Sequence, residues 1–71
     1  DASFVRQIMS SETDRAMVAS INNIGHVMRI KTIAEGVEDD AALNALREIG
    51  IDYVQGYHLH RPEPIAGLDA L

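Results

Sequence analysis

The sequence predicts an α/β fold in which two parallel strands are flanked by helices and belong to a larger barrel or wound sheet. Helix-type and strand-type patterns alternate in the order helix, strand, helix, strand, helix, which is typical of a right-handed crossover between parallel strands. Two such strands cannot satisfy their own edges, so we expect further strands beside them. The chain has 71 residues and no cysteine, and a core of this size without disulfides is only marginally stable by itself.

The first elements are predicted to be a loop and a long helix. Residues 1–10 are rich in apolar side chains without a clear helical or strand period, which indicates a loop or short turn. Ser11 with Glu12 and Asp14 is typical of a helix start, because acceptors and acids favour this end of the helix dipole. The methionines are interpreted as core residues, and the apolar stripe of a helix of about 18 residues is formed by Met17, Ile21, Ile24 and Met28.

The next elements are two strands joined by a helix. Residues 30–35 are β-prone and predict one strand, and residues 51–55 predict a second. Between them, Asp39 and Asp40 predict a helix start, Gly50 predicts its end, and its apolar stripe is formed by Ala42, Leu46 and Ile49. The segment after the second strand contains two prolines and is predicted to be a loop, with Pro64 at the first position of a short final helix.

The charge of the chain restricts the ligands that it can bind. Six basic residues against eleven acidic ones give a formal net charge of −5, which argues against binding to a nucleic-acid polymer. No apolar run is long enough to span a membrane, and the lack of cysteine fits a reducing cytoplasm. A ligand that carries phosphates would need a cation between itself and this acidic chain, and a divalent metal ion is the obvious candidate.

Both predicted strands end in the same pattern. One finishes with Glu35 and a glycine and the other with Gln55 and a glycine, and the two polar residues are twenty positions apart, a natural length for one strand-to-strand repeat. In parallel strands both side chains lie at the carboxyl edge, where α/β folds build their sites. Glycine after each suits a backbone that turns sharply or lies close to a ligand. The doubled pattern makes Glu35 and Gln55 candidate site residues.

Other interpretations of the polar residues remain open at this point. Glu35 could instead cap the next helix or pair with a cation such as Lys31 or Arg61, and Glu38 is assigned to the helix start rather than to chemistry. His58 and His60 would share one face of an extended segment and could bind a metal ion, but no third ligand follows at a recognisable spacing, so exposed loop histidines are the simpler interpretation.

The first helix carries two further polar features. His26 lies beside its apolar stripe and is interpreted as a packing residue. Asn22 and Asn23 are placed on the polar side of the helix.

Three motifs, taken in order and at their spacings, resemble one known family. "DASFV", "KTIAEGVE" and "DYVQGYHLHRPEP" are similar to the EAL-domain family of bacterial phosphodiesterases that hydrolyse cyclic di-GMP, and the similarity runs over essentially all of the chain. The resemblance implies the C-terminal portion of a TIM-like (β/α)8 barrel. Residues 1–71 would form the loop after the sixth strand through the eighth strand and the following helix.

The resemblance also implies roles for three residues. Glu35 matches the first glutamate of the family's "AEGVE" motif, which helps to hold a catalytic metal ion and its water. Gln55 matches the glutamine of the "QGY" motif, a catalytic-site residue that contacts substrate, and Glu38 matches a loop-supporting glutamate. The implied cofactors are two Mg²⁺ or Mn²⁺ ions, and the implied reaction opens cyclic di-GMP to linear pGpG. Arg29 departs from the family pattern, since many relatives place glycine there.

Two rival interpretations and a set of partners complete the predictions. Besides an active phosphodiesterase, the chain could belong to a degenerate EAL domain that acts as a cyclic di-GMP receptor or protein-interaction module. It could also belong to an unrelated α/β enzyme or a structural βαβ unit. The expected partners are cyclic di-GMP and the remainder of the barrel, and the isolated chain is expected to be inactive and to form a homodimer or exchange strands. The intact protein is expected in the cytoplasm, with any membrane attachment provided by other domains.

Overall fold

The computed structural model describes residues 2–56 and 58–68, with only the backbone described for residues 2–4. Its elements are α1 (Ala2–Ser10), α2 (Glu12–Val27), β1 (Ile33–Val37), α3 (Asp40–Ile49), β2 (Tyr53–Gly56), β3 (Glu63–Pro64) and a 3-10 turn (Ile65–Gly67). The strands form one sheet in the order β1-β2-β3. None of the helices in this part of the chain combines the length and hydropathy that crossing a bilayer requires.

The predicted strand-helix-strand unit is confirmed. β1 and β2 pair in parallel, and α3 lies between them in sequence. The side chain of Asp39 accepts a hydrogen bond of 2.8 Å from the Ala42 N–H and starts α3, as predicted. Gly50 ends the helix in the left-handed conformation, with φ of 96°, which glycine adopts without a steric penalty. Local capping signals therefore set both ends of α3.

One face of the sheet carries the hydrophobic core. Leu43 and Leu46 of α3 are completely buried against Ala34 and Val54 of the two parallel strands. Burying a leucine side chain contributes about 2 kcal/mol, so α3 is held mainly by this contact rather than by helix propensity. The remaining core members come from α1, β1, α3, the segment between α3 and β2, and the 3-10 turn; they are Val5, Ile8, Val37, Ala42, Ile51 and Ile65.

The predicted loop over residues 1–10 is wrong for the residues that the structure describes, because residues 2–10 form α1. Val5 and Ile8 are three positions apart, lie on one face of this helix and are buried in the core. Ala2, Phe4 and Met9 are apolar as well, so the sequence of this short segment does not single out Val5 and Ile8 as one helical face. Tertiary packing decides the conformation of this segment, as it does for most short helices.

Helix α2 is confirmed, but its apolar stripe is not buried. The Ser11 hydroxyl accepts a hydrogen bond of 3.2 Å from the Asp14 N–H, and the helix runs for 16 residues. The interpretation of the methionines as core residues is wrong within the described residues. The stripe consists of Met17, Ile21, Ile24 and Met28, and each of these residues has between 58% and 64% of its surface exposed. The helix contacts the rest of the structure through its other side, where Val18 packs against the core.

The segment after β2 contains a strand that the sequence pattern did not predict. β3 pairs antiparallel with β2, with Tyr53 opposite Pro64 and Val54 opposite Glu63. Pro64 is tolerated because it lies at a sheet edge and precedes the 3-10 turn, where it is the N-cap residue rather than the first helical residue. The Arg47 guanidinium donates to the Leu68 carbonyl and holds this turn against α3. The predicted final helix is limited to this turn, and residues 69–71 lie outside the described part.

A polar network joins the amino ends of the two parallel strands. Asp52 Oδ2 accepts hydrogen bonds from the Thr32 N–H at 2.8 Å and from the Thr32 hydroxyl, and it lies 2.7 Å from His26 Nε2. The Thr32 hydroxyl also lies 2.6 Å from Asn22 Oδ1, and Asn22 Nδ2 donates to the Ile49 carbonyl. Only 4% of the Asn22 surface is exposed, so its placement on the polar side of α2 is wrong. His26 is a partner of Asp52 rather than an apolar packing residue.

The environment of Asp52 makes this network sensitive to acid. The hydrogen bond from the Thr32 backbone N–H is the largest cause that holds the pKa of the Asp52 carboxyl below its usual value near 3.8. Partial burial acts in the opposite direction, and the hydrogen bond with His26 lowers the pKa further. A carboxyl whose pKa is lower in the folded state than in the unfolded state stabilises the fold above its unfolded pKa. That contribution disappears as the pH falls through the folded pKa.

Asp52→Asn is therefore expected to destabilise the protein in a pH-dependent way. The free energy of unfolding should fall by about 1 kcal/mol at pH 7, because charge-assisted hydrogen bonds become neutral ones. The difference between variant and wild type should shrink as the pH falls below about 4, where the wild-type carboxyl begins to take up a proton. Urea denaturation at a series of pH values measures this difference. A difference that stays constant down to pH 2 would contradict the assignment.

Candidate active site

Glu35 and Gln55 lie on neighbouring strands and on the sheet face that the helices leave open. Ala34 and Val54 are register partners, and both are buried toward the helices. Because side chains alternate between faces along a strand, the residues that follow this pair point to the other face. Ile33, two positions before Glu35, shares this face and has 55% of its surface exposed. This register places the acid and the amide on one face of the sheet, and their role as site residues stays a prediction.

A β-bulge in β1 places Glu35 on this face. Ala34 pairs with Val54 and Val37 pairs with Gly56, so two residues of β1, Glu35 and Gly36, lie opposite a single residue of β2. Gly36 takes a φ of 78°, which a side-chain-bearing residue adopts only with strain. The extra residue returns Val37 to the covered face, where only 1% of it is exposed. Glu35 is thus the third residue of β1 rather than its last.

The bulge brings the two strands unusually close at Gly56. Its φ is 100°, and a Cβ atom at this position would lie 2.6 Å from the Val37 carbonyl oxygen and 3.0 Å from the Val37 nitrogen. Real Cβ atoms do not approach backbone atoms so closely. The glycine after Gln55 therefore permits contact with the neighbouring strand. The sequence pattern had left open whether the glycine serves a sharp turn or a ligand.

Glu35 neither caps a helix nor pairs with a cation among the residues that the structure describes. Asp39 provides the cap of α3, so Glu35 does not. The ion pairs found in this part join Arg15 to Glu48 and His26 to Asp52, and neither Lys31 nor Arg61 reaches Glu35. The Glu35 carboxylate is exposed and accepts no hydrogen bond within residues 2–56 and 58–68. It is available to a ligand or a cation from outside the described residues.

The amide of Gln55 is held by the loop that follows β2. Gln55 Nε2 donates a hydrogen bond of 3.2 Å to the Leu59 carbonyl. Leu59 is partly buried and packs against the core, so the acceptor is anchored. This contact was not predicted, because the sequence carries no signal for a main-chain acceptor.

The remaining candidate residues lie around this edge. Glu38 is exposed, precedes the cap residue of α3 and lines a cleft with Val5, Arg6 and Met9 of α1, and its supporting role stays a prediction. His58 and His60 are exposed on the loop after β2. No group of three or more acidic, histidine or cysteine side chains is placed to hold a metal ion within the described residues. A metal site built on the two histidines thus lacks a third ligand there.

Arg29, which departs from the glycine of the family pattern, has a left-handed backbone conformation. Its φ is 61°, in the left-handed region that follows the end of α2. Its backbone N–H donates to the His26 carbonyl at 2.9 Å, so the turn is hydrogen-bonded with an arginine in the left-handed region.

Comparisons with known proteins agree over most of the chain. The family model described as EAL domain matches residues 1–62. The chain is 42% identical over 66 residues to the cyclic di-GMP phosphodiesterase PdeB of Shewanella oneidensis, and 45% identical over 65 residues to the cyclic di-GMP phosphodiesterase PdeA of Borreliella burgdorferi. These matches cover 93% and 92% of the chain but only 8% and 10% of the two relatives.

A solved structure gives the same result for the fold. The EAL enzyme Bd1971, in its cAMP- and cyclic-di-GMP-bound form, superposes with a TM-score of 0.75 at 36% sequence identity. The superposition covers 93% of this chain and 18% of the solved one. The chain therefore spans less than a fifth of the length of each of these proteins.

Gly56→Ala is expected to be strongly destabilising. The added methyl group would contact the Val37 backbone and would force an L-residue into the left-handed region, so the free energy of unfolding should fall by about 3 kcal/mol. Gly67→Ala is the matched control, because nothing lies within 4 Å of its Cβ position, and it should change stability by less than about 0.5 kcal/mol. Chemical denaturation of both variants gives the comparison. Equal stabilities would refute the close approach.

Proposed function

Since this chain belongs to the EAL domain family, we propose that the protein of which it is part hydrolyses cyclic di-GMP to linear pGpG. The proposal is supported by relatives that are named as cyclic di-GMP phosphodiesterases and that match 92% to 93% of the chain. Its main structural support is the Glu35 carboxylate, which lies beside Gln55 on the open sheet face and has no partner among the described residues. A retained acid and amide also favour turnover over a receptor without activity.

The donor atoms of this edge fit a divalent cation. A carboxylate is a hard oxygen donor of the kind that Mg²⁺ and Mn²⁺ prefer, and Glu35 would be the ligand from this chain. No group of three or more acidic or histidine side chains is placed to hold a metal ion among the described residues, so further ligands of two ions would come from the remainder of the barrel. When bound, the ions would neutralise phosphate charge and lower the pKa of a coordinated water.

The chain itself would contribute a preorganised acid, an amide and a sheet whose opposite face is covered by helices. Glu35 would hold one ion from a strand whose bulge fixes its direction, so little reorganisation accompanies binding. Gln55 would contact the substrate or the water that attacks it. The buried helix-covered face behind Ala34 and Val54 would exclude water from the opposite side of the sheet. The charge of Glu35 is tolerable because it lies on an open face rather than inside the core.

The remainder of the barrel is the partner that this proposal requires. The α2 stripe and the free edge of β1 have no cover among the described residues, and further strands and helices of the same domain would bury them. Without them the chain would be inactive, and pairing with a second copy or strand exchange would be its alternative. The proposal places the segment in the cytoplasm, which is compatible with a chain that has no cysteine.

Glu35→Gln in the complete protein is expected to lower the rate of cyclic di-GMP hydrolysis at least about 100-fold, because the amide cannot replace a charged metal ligand. Chromatographic detection of pGpG measures the rate. Glu48→Gln is the matched control, since Glu48 of α3 forms an exposed ion pair with Arg15 of α2, and this variant should keep near-normal activity. Hydrolysis by the Glu35→Gln variant at the wild-type rate would contradict the proposed role of Glu35.

Removal of divalent cations is expected to abolish hydrolysis reversibly. Dialysis against EDTA should reduce pGpG formation to background, and added Mg²⁺ or Mn²⁺ should restore it. The Glu35→Gln variant should need a Mn²⁺ concentration about 10-fold or more higher for half-maximal rate. Full activity after exhaustive chelation would exclude the proposed cofactors.

A further inference from the structure

The turn after β2 combines two features that the proposed reaction does not explain by itself. The Leu59 N–H donates a hydrogen bond of 2.8 Å to the Gly56 carbonyl and closes a turn. His58 lies in this turn and has a φ of 65°. Glycine adopts this left-handed region readily, asparagine and histidine are found there more often than other residues, and β-branched residues are rare in it. A conformation of this kind persists only where the surrounding contacts hold it.

The turn determines the orientation of the Gln55 side-chain amide. A main-chain carbonyl only accepts hydrogen bonds, so the atom of Gln55 that contacts Leu59 must be its nitrogen. The amide oxygen is then the atom left for the open face, and no described residue donates to it. The side chain of Leu59 packs against the core, which prevents the acceptor from moving away. Gln55 therefore presents an acceptor beside Glu35.

We propose that the turn closed by the hydrogen bond between Leu59 and Gly56 is a positioning element that holds the Gln55 amide with its oxygen toward the site, and that the left-handed backbone of His58 is what allows it. The inference rests on the proposed function and refines the part of Gln55 in it. A phosphate diester oxygen only accepts hydrogen bonds, so Gln55 in this orientation does not bind the phosphate. It accepts from a proton donor, such as a water molecule next to the substrate.

The test compares substitutions that differ in their tolerance of the left-handed region, made in the complete protein. His58→Val should lower kcat/KM for cyclic di-GMP about 10-fold or more, because a β-branched residue cannot hold the turn and the amide loses its orientation. His58→Asn should retain kcat/KM within about threefold, because asparagine keeps the backbone conformation without the imidazole. His60→Val is the matched control in the same exposed loop, where the backbone is not left-handed, and it should retain activity.

A double substitution separates positioning from a general loss of structure. In a Gln55→Ala background, His58→Val should lower kcat/KM no further, because the turn acts through the amide that has been removed. Full additivity of the two substitutions would overturn the proposal. Equal losses in His58→Asn and His58→Val would also overturn it, since the imidazole itself would then be required. Unchanged activity in His58→Val would do the same.

Crystal structures of the two His58 variants provide a result that does not depend on activity. The contact between Gln55 Nε2 and the Leu59 carbonyl should be kept in His58→Asn and lost in His58→Val. If the wild-type protein fails to hydrolyse cyclic di-GMP, the proposed function falls, and these structures alone decide the positioning role. A contact that survives in both variants would overturn it.

Discussion

The close approach of β2 to β1 at Gly56 is the constraint on which the candidate site depends. A glycine with φ of 100° lies against the Val37 backbone, and this contact accommodates the extra residue of the bulge in β1. The bulge in turn allows Ala34 and Val37 to be buried together while Glu35 faces the opposite side. An acid is thereby placed beside an amide without entering the core. The geometry of the site follows from backbone packing before any ligand is present.

The two ends of the parallel strands differ in the contacts that their polar side chains make. At the amino ends, Thr32 and Asp52 form hydrogen bonds with each other, and the contact between Thr32 and Asn22 connects the strands to α2. At the carboxyl ends, Glu35 remains without a partner among the described residues. Barrels of this class commonly place stability at one edge and chemistry at the other. The twenty-residue repeat that relates the acid to the amide also relates Thr32 to Asp52, and it is visible in the sequence.

Features set by neighbouring residues are predictable from the sequence, and features set by distant contacts are not. The ends of α3 follow from Asp39 and Gly50, and the strand alternation predicts that the acid and amide share an edge. Helix α1 is missed because its stability comes from Val5 and Ile8 packing on the sheet. The antiparallel strand and the main-chain acceptor of the amide also depend on tertiary placement. The apolar stripe of α2 is present as predicted, but nothing in the described residues buries it.

The central claim is that a divalent cation binds the acid which the bulge directs toward the open face. Anomalous diffraction from crystals of the complete protein grown with Mn²⁺ and cyclic di-GMP measures this most directly. The account predicts a manganese peak about 2.1 Å from a Glu35 carboxylate oxygen, with the Gln55 oxygen turned toward the same cleft. Manganese bound elsewhere, with Glu35 paired to a cationic side chain, would contradict it.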